Sequence, residues 1–363
     1  VKVHYAALLK KSGVTHTPKG SCTPMMLKLL CHGIAQQSRS SELVAARDAL
    51  LYAVAGLGGP RIGEQADCGQ GHGITCSDMT LWERPDGVEV VELMVRTSKT
   101  GFARFVPIAG ATRSGIQLAQ LLRSYWKLAG FTIVGGSAGR YRYWRPSRMV
   151  LRVSLAGADL GVLSRLDSTI ARCGNASARL NAKTTLRYAK ERIKASGPGS
   201  ESKKFVNVAM GDERGTQLGA LAAVIEQGTG LMASVAEAPM FMATEGRYQT
   251  LMPISSASLF DGVKHRLARA AQEARAAGDP QLNMTQREID DADWASHSFR
   301  RGADKQARIF SEKEGISIER VDMSFGWNQR AMAKDMQLRY DENDLDKRMA
   351  GADITSVHIT STW

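Results

Sequence analysis

The chain has 363 residues, 43% of them hydrophobic, with 48 Lys and Arg against 36 acids, a net charge of +12 and a pI near 9.6. That composition is too apolar for a disordered chain, and the length allows two or three domain-sized units with an ample core. The basic surplus points to a polyanionic partner, nucleic acid first, with a solvated basic surface as the plain alternative. Five scattered cysteines, an odd number, suggest reduced thiols and an intracellular protein. Cys68, His72 and Cys76 offer three soft ligands without a second Cys pair, so no structural metal is expected. No apolar run reaches the ~18 residues of a membrane span. Val1 is followed by no charged-then-apolar leader pattern, and a true N-terminus further upstream is expected.

Residues 1–20 read as a linker, or the end of an upstream element. Thr23-Pro24 is an N-cap followed by a proline at N1. It opens a helix with Met26, Leu27, Leu30 and Ile34 on its apolar face. Ser40 or Ser41 opens a second helix, with Leu43, Ala46, Leu50 and Val54 on one stripe. Gly56-Leu57-Gly58-Gly59-Pro60 ends it, and Arg61-Ile62-Gly63-Glu64 follows at once. Val88 to Val95 and Phe102 to Ile108 read as strands around Thr97-Ser98-Lys99-Thr100-Gly101, a hairpin with Lys99 at its tip. A helix from Gly115 to Leu128 comes next.

Residues 129–250 change character. Arg140-Tyr141-Arg142-Tyr143-Trp144-Arg145 interleaves cations with aromatics. Residues 140–194 hold 13 Lys and Arg against Asp159, Asp167 and Glu191, a net +10. A concentrated excess accompanied by aromatics favours nucleic-acid contact through Arg140, Arg142, Trp144, Arg145 and Arg148. The alternative is a solvated helix face ringed by Arg187, Lys190, Arg192 and Lys194.

Met252-Pro253-Ile254-Ser255 leads into a helix carrying Leu259, Val263, Leu267 and Ala271. Ser296 is a good N-cap for a later helix with Phe299, Ala303, Ala307 and Phe310 on one face and Gly315 as its stop. His297 and Arg300, three apart, share a face there: a proton-transfer group beside a permanent cation. That pair suits a phosphate whose oxygens gain charge while a leaving group needs a proton. Ser324-Phe325-Gly326-Trp327 is a turn, and a last helix from Asn328 presents Met332, Met336 and Tyr340 four apart.

The order Arg61, Lys99, His297-x-x-Arg300, Gly326-Trp327 and Tyr340 resembles the tyrosine recombinases, or phage-integrase family, whose catalytic domain shares its chemistry with type IB topoisomerases. The resemblance covers roughly 21–128 and 251–345. It rests on helix-Gly-Arg-Ile-Gly-Glu, the Ser-Lys-Thr-Gly hairpin, Pro-Ile-Ser before a helix, and His-Ser-Phe-Arg-Arg-Gly. The Gly-Trp…Met-Gln…Tyr ending looks most like recombinases of eukaryotic mobile elements. Taken singly, Arg61 could cap a helix, Lys99 could be a solvated turn residue, and Trp327 and Tyr340 could be core aromatics. The ordered set carries the likeness.

The resemblance implies a mainly α fold with a small antiparallel β-hairpin/sheet, the recombinase catalytic fold with an insertion. The expected division is 1–20 as the end of a missing core-binding domain, 21–128 and 251–345 as two catalytic halves, 129–250 as a basic insertion, and 346–363 as a tail. It also implies a site-specific recombinase of double-stranded DNA. Arg61 and Arg300 would clamp the phosphate, Lys99 would be general acid, and His297 acid/base or phosphate donor. Trp327 would donate its indole N–H, and Tyr340 would form a 3′-phosphotyrosine link. Such chemistry needs neither metal nor small-molecule cofactor. A homotetramer on DNA, exchanging segment 341–363, and a nuclear or nucleoid location are the further expectations. An inactive DNA-binding relative and a type IB-like relaxing enzyme are the alternatives. Two spacings depart from the family's pattern: Trp327 to Tyr340 and Lys99 to His297 are both longer than usual.

Overall fold

A computed structural model describes residues 20–32, 41–66, 73–96, 103–173, 205–208, 215–245, 248–278, 284–290, 297–317, 321–322 and 345–356, with parts of 183–194. Among the described residues no helix is long and apolar enough to cross a membrane, and no three metal-ligating side chains come together.

The first helices obey their local signals. α1 (Pro24–His32) starts where the Met26 amide donates to Thr23 Oγ1 at 3.2 Å. α2 (Glu42–Gly58) starts where the Val44 amide donates to Ser41 Oγ at 3.3 Å, and ends at Gly59 with φ of 64°, a left-handed turn that glycine adopts without steric penalty. α3 (Ile62–Gln65) is a single turn. Three antiparallel strands follow: β1 (Met79–Glu83), β2 (Glu89–Val95) and β3 (Arg104–Ala109). The β2–β3 register pairs Val95 with Arg104, so the hairpin lies where the alternation places it. α4 (Leu118–Ala129) packs behind the sheet.

The sheet does not stop at the hairpin. β4 (Thr132–Ala138) and β5 (Tyr141–Ser147) join it through β1, giving the order β3-β2-β1-β5-β4. A second antiparallel sheet, β7-β6-β8, is built from β6 (Met149–Ser154), β7 (Phe205–Val208) and β8 (Ala233–Glu237). α5 (Leu160–Cys173) and α6 (Gly215–Thr229) cover it, around a core of its own that includes Leu151, Val153, Leu166 and Ile225. β9 (Met242–Glu245) pairs with β10 (Tyr248–Pro253). This corrects the expectation of a mainly α chain with a small hairpin. Helices and antiparallel sheets share the chain, because β-branched and aromatic residues of 79–83, 132–147 and 149–154 form strands that the basic-aromatic reading passed over. Segment 129–250 is thereby divided: 132–147 complete the first sheet, and 149–237 carry the second.

The chain returns to the first core through α7 (Ser256–Asp261), α8 (Val263–Ala276), α9 (Gln286–Asp290) and α10 (Ser298–Glu314). α10 is capped by His297 rather than Ser296: His297 takes the N-cap place in αR backbone without a side-chain cap hydrogen bond. The His-Ser-Phe-Arg-Arg-Gly motif sets its seat. The Ser298 carbonyl accepts the Cys22 amide at 2.9 Å. Phe299, fully buried, stacks on Tyr52 of α2 at 5.4 Å. Gly302 lets the helix meet the chain at Cys22, for a Cβ there would stand 2.1 Å from the Cys22 carbonyl oxygen. Gly302→Ala is therefore expected to lower stability by about 1–3 kcal/mol, read as a shift in urea midpoint with an unchanged m-value. A wild-type midpoint would refute this packing account.

α11 (Leu345–Ser356) lies on the first sheet of its own chain. Arg348 grips Glu92 at 2.7 and 2.8 Å and covers the Phe105 ring at 4.0 Å. Thr355 Oγ1 accepts the Ala109 amide at 2.6 Å. These contacts hold 345–356, the described part of the expected tail, against β2 and β3.

Candidate phosphate site

Two arginines from separate stretches meet at one carboxylate, and a third is held beside them on a backbone carbonyl. Arg61 follows α2 directly, because Gly59 and Pro60 turn the chain into α3. Its amide donates to Glu64 Oε2 at 2.8 Å and its guanidinium to Glu64 Oε1 at 2.9 Å. Arg104, first residue of β3, points inward with Val106 and Ile108. It donates to Glu64 Oε2 at 2.8 Å and Oε1 at 3.4 Å while only 2% exposed. Arg300, one turn into α10, donates to the Gly59 carbonyl at 3.3 Å.

The electrostatics follow from this packing. Burial, then the charges of Arg61 and Arg104, lower Arg300 from the ordinary guanidinium range to about 10, against partial support from Glu64 and Asp304. Glu64 behaves in the opposite sense. Burial pushes its carboxyl up, but the hydrogen bond and charge of Arg104, then those of Arg61, hold it below 4.5. Three guanidinium groups and one carboxylate leave about two positive charges in a half-buried place. The Nε donors of Arg61 and Arg104 are buried without acceptors among the described residues. Such a cluster suits an oxyanion that gains charge during reaction.

Arg61 and Arg300 are therefore brought together. His297 is exposed at the head of α10. Lys99, Trp327 and Tyr340 lie outside the described residues. Glu64 and Arg104 were not anticipated as site residues. The available signal was a charged residue in the inward alternation of Arg104, Val106 and Ile108, which demands a buried partner.

The five basic-aromatic candidates on and beside β5 do not form one patch. Register sets Arg142 and Trp144 on the face of Leu81, and Tyr143 and Arg145 on that of Trp82. Arg142 pairs with Glu83, and Arg140 pairs with Asp346 at 3.1 Å. Arg145 donates to Thr80 Oγ1 at 2.9 Å and lies 5.2 Å over Tyr143. Arg148 is a tether: it donates to the Ala129 carbonyl at 2.6 Å and to Gln249 at 2.8 Å. Trp144 is half-buried beside the core. Cys22, Cys31 and Cys76 are free thiols; burial raises all three, with Cys76 pushed up to about 11, so none is poised as a nucleophile. No protein-family profile, curated protein or solved structure matches the chain.

Proposed function

We propose that the chain cuts and rejoins DNA strands through a covalent 3′-phosphotyrosine, as a site-specific recombinase. The observation that carries this reading is the pairing of Arg61 and Arg104 on Glu64, with Arg300 held beside them on the Gly59 carbonyl. A DNA phosphodiester carries one negative charge, and attack by a tyrosine builds a second on its non-bridging oxygens. A fixed surplus of about two cations balances that state better than the ground state, which is what accelerates a reaction. In this scheme Arg61 and Arg300 hold the non-bridging oxygens. Glu64 and Arg104 fix where Arg61 lies. His297 exchanges a proton with, or donates to, the phosphate. Lys99 protonates the leaving 5′-oxygen, Trp327 donates its indole N–H, and Tyr340 attacks. Each bond broken is replaced by one of like energy, so no nucleotide cofactor enters. Assembly as a homotetramer on two duplexes belongs to the same proposal.

The test is a pool of random-sequence duplexes, each nicked so that cleavage releases a short fragment and traps the intermediate. An SDS-stable protein–DNA band lost in Tyr340→Phe supports the proposal. Absence of any band while duplex binding persists overturns it in favour of an inactive binder. Strand exchange between two duplexes, rather than relaxation of one, separates a recombinase from a relaxing enzyme. Arg145, exposed above Tyr143, is the β5 cation best placed to meet a backbone phosphate. Arg145→Ala is expected to lower the slope of log K against log salt by about one contact. An unchanged slope would remove β5 from the DNA interface.

A further inference from the structure

The β4 edge of the first sheet has features that the phosphate site does not use. β4 ends the strand order, and no described strand pairs with its outer side. Its sequence, Thr-Ile-Val-Gly-Gly-Ser-Ala, has no charge and no proline, the usual guards of an exposed edge. Ile133 is 41% and Val134 51% exposed. Beside this edge lies a cavity of about 500 Å³ between the sheet and α4, walled by Leu81, Trp126, Phe131, Ile133 and Trp144.

Two further observations suggest what enters it. The charged residues of the wall are Arg123 and Lys127, with no carboxylate among them. Arg123 is engaged by Glu89, which leaves Lys127 to attract an anion. Gly135 pairs with Trp144 and carries no side chain; a Cβ there would stand 3.3 Å from the indole Cδ1. The ring is thus open from the edge.

We propose that β4 and this cavity form a docking site for an extended segment of a partner protein, with an apolar anchor next to an acidic residue. The segment adds to β4 as a further strand, and its backbone meets the outer side of β4. Alternate side chains then fall on the face of Ile133 and Gly135, over the cavity. An apolar side chain fills the space between Trp126 and Trp144, and a neighbouring carboxylate faces Lys127. A peptide suits this wall better than DNA, because most of it is apolar and one of its two cations is already neutralised.

The test is selection of short random peptides, displayed on phage, against the full chain. Enrichment of sequences that alternate apolar and polar residues and carry Asp or Glu is expected. The synthetic form of an enriched peptide should bind in fluorescence anisotropy. Affinity should fall by about tenfold or more in Ile133→Lys, an exposed position that leaves the core intact, and by less in Trp126→Phe. No enrichment, or equal binding to Ile133→Lys, overturns the proposal. So does sedimentation showing a dimer that Ile133→Lys abolishes, which would give the edge to a second copy. Duplex DNA that displaces the peptide, with DNA binding weakened by Lys127→Glu, would give it to nucleic acid and equally overturn the proposal. None of these readouts depends on strand cleavage.

Discussion

Arg300→Ala is expected to cut covalent capture of nicked DNA by about 10²- to 10³-fold while leaving duplex binding largely intact, the usual effect of removing one donor from a developing oxyanion. The guanidinium is held against its own preference. Burial and the two neighbouring arginines bring it down to about 10, so its charge is relieved when an anion arrives. Arg300→Lys is the more telling variant. An ammonium loses the planar fork that grips two oxygens, and it starts from a lower intrinsic pKa near 10.4. The same burial and the same two cations would lower it further. Its residual activity should then rise as pH falls through the shifted value, since the protonated form is the useful one. Residual activity that is flat or falls with decreasing pH would show that Arg61 and Arg104 do not act on this position.

Glu64→Gln is expected to destabilise the fold by about 3–5 kcal/mol, because it strands Arg104, 2% exposed, beside a second cation with no counter-charge. Urea unfolding at neutral pH measures it. The acid limb gives an independent check. The Glu64 carboxyl lies below its ordinary 4.5 in the folded chain. A carboxyl lowered on folding contributes stability at pH above its unfolded value. That contribution is lost as pH drops from about 4.5 through the lower folded value. Wild type should lose this increment on acidification, whereas Glu64→Gln, already without it, should show a shallower slope. Parallel slopes would mean that Glu64 is not held by the arginines. The two effects are linked, since the carboxylate that keeps Arg61 and Arg104 in place also permits Arg300 to come near them.

Local signals were legible in the sequence where a few neighbouring residues settle the structure. Thr23, Ser41, Gly59 and Gly315 cap the helices their types suggest, and Val95 meets Arg104 across the expected hairpin. Arg61 and Arg300 were legible as a pair, although the groups that join them were not. Arg104 and Glu64 stand 40 residues apart and meet only once β3 lies over α3. The five-stranded sheet was missed for a related reason. Along β5, Tyr141-Arg142-Tyr143-Trp144-Arg145 interleaves cations with aromatics, which reads as a basic surface. Paired with β1, the same residues divide between two faces and find Glu83 and Thr80. Short strands such as Met79–Glu83 owe their form to cross-strand partners more than to their own residues. Ser296 was a sound cap by type, yet the helix begins one residue later, at a margin where cap choices are close.

The most direct measurement is mass spectrometry of the protein after capture on nicked duplex, nuclease digestion and proteolysis. A nucleotide remnant on the peptide that carries Tyr340, absent when Arg300 is replaced by Ala, is the predicted result. Bound duplex with no remnant on any peptide, or a remnant on a residue other than Tyr340, would contradict the account.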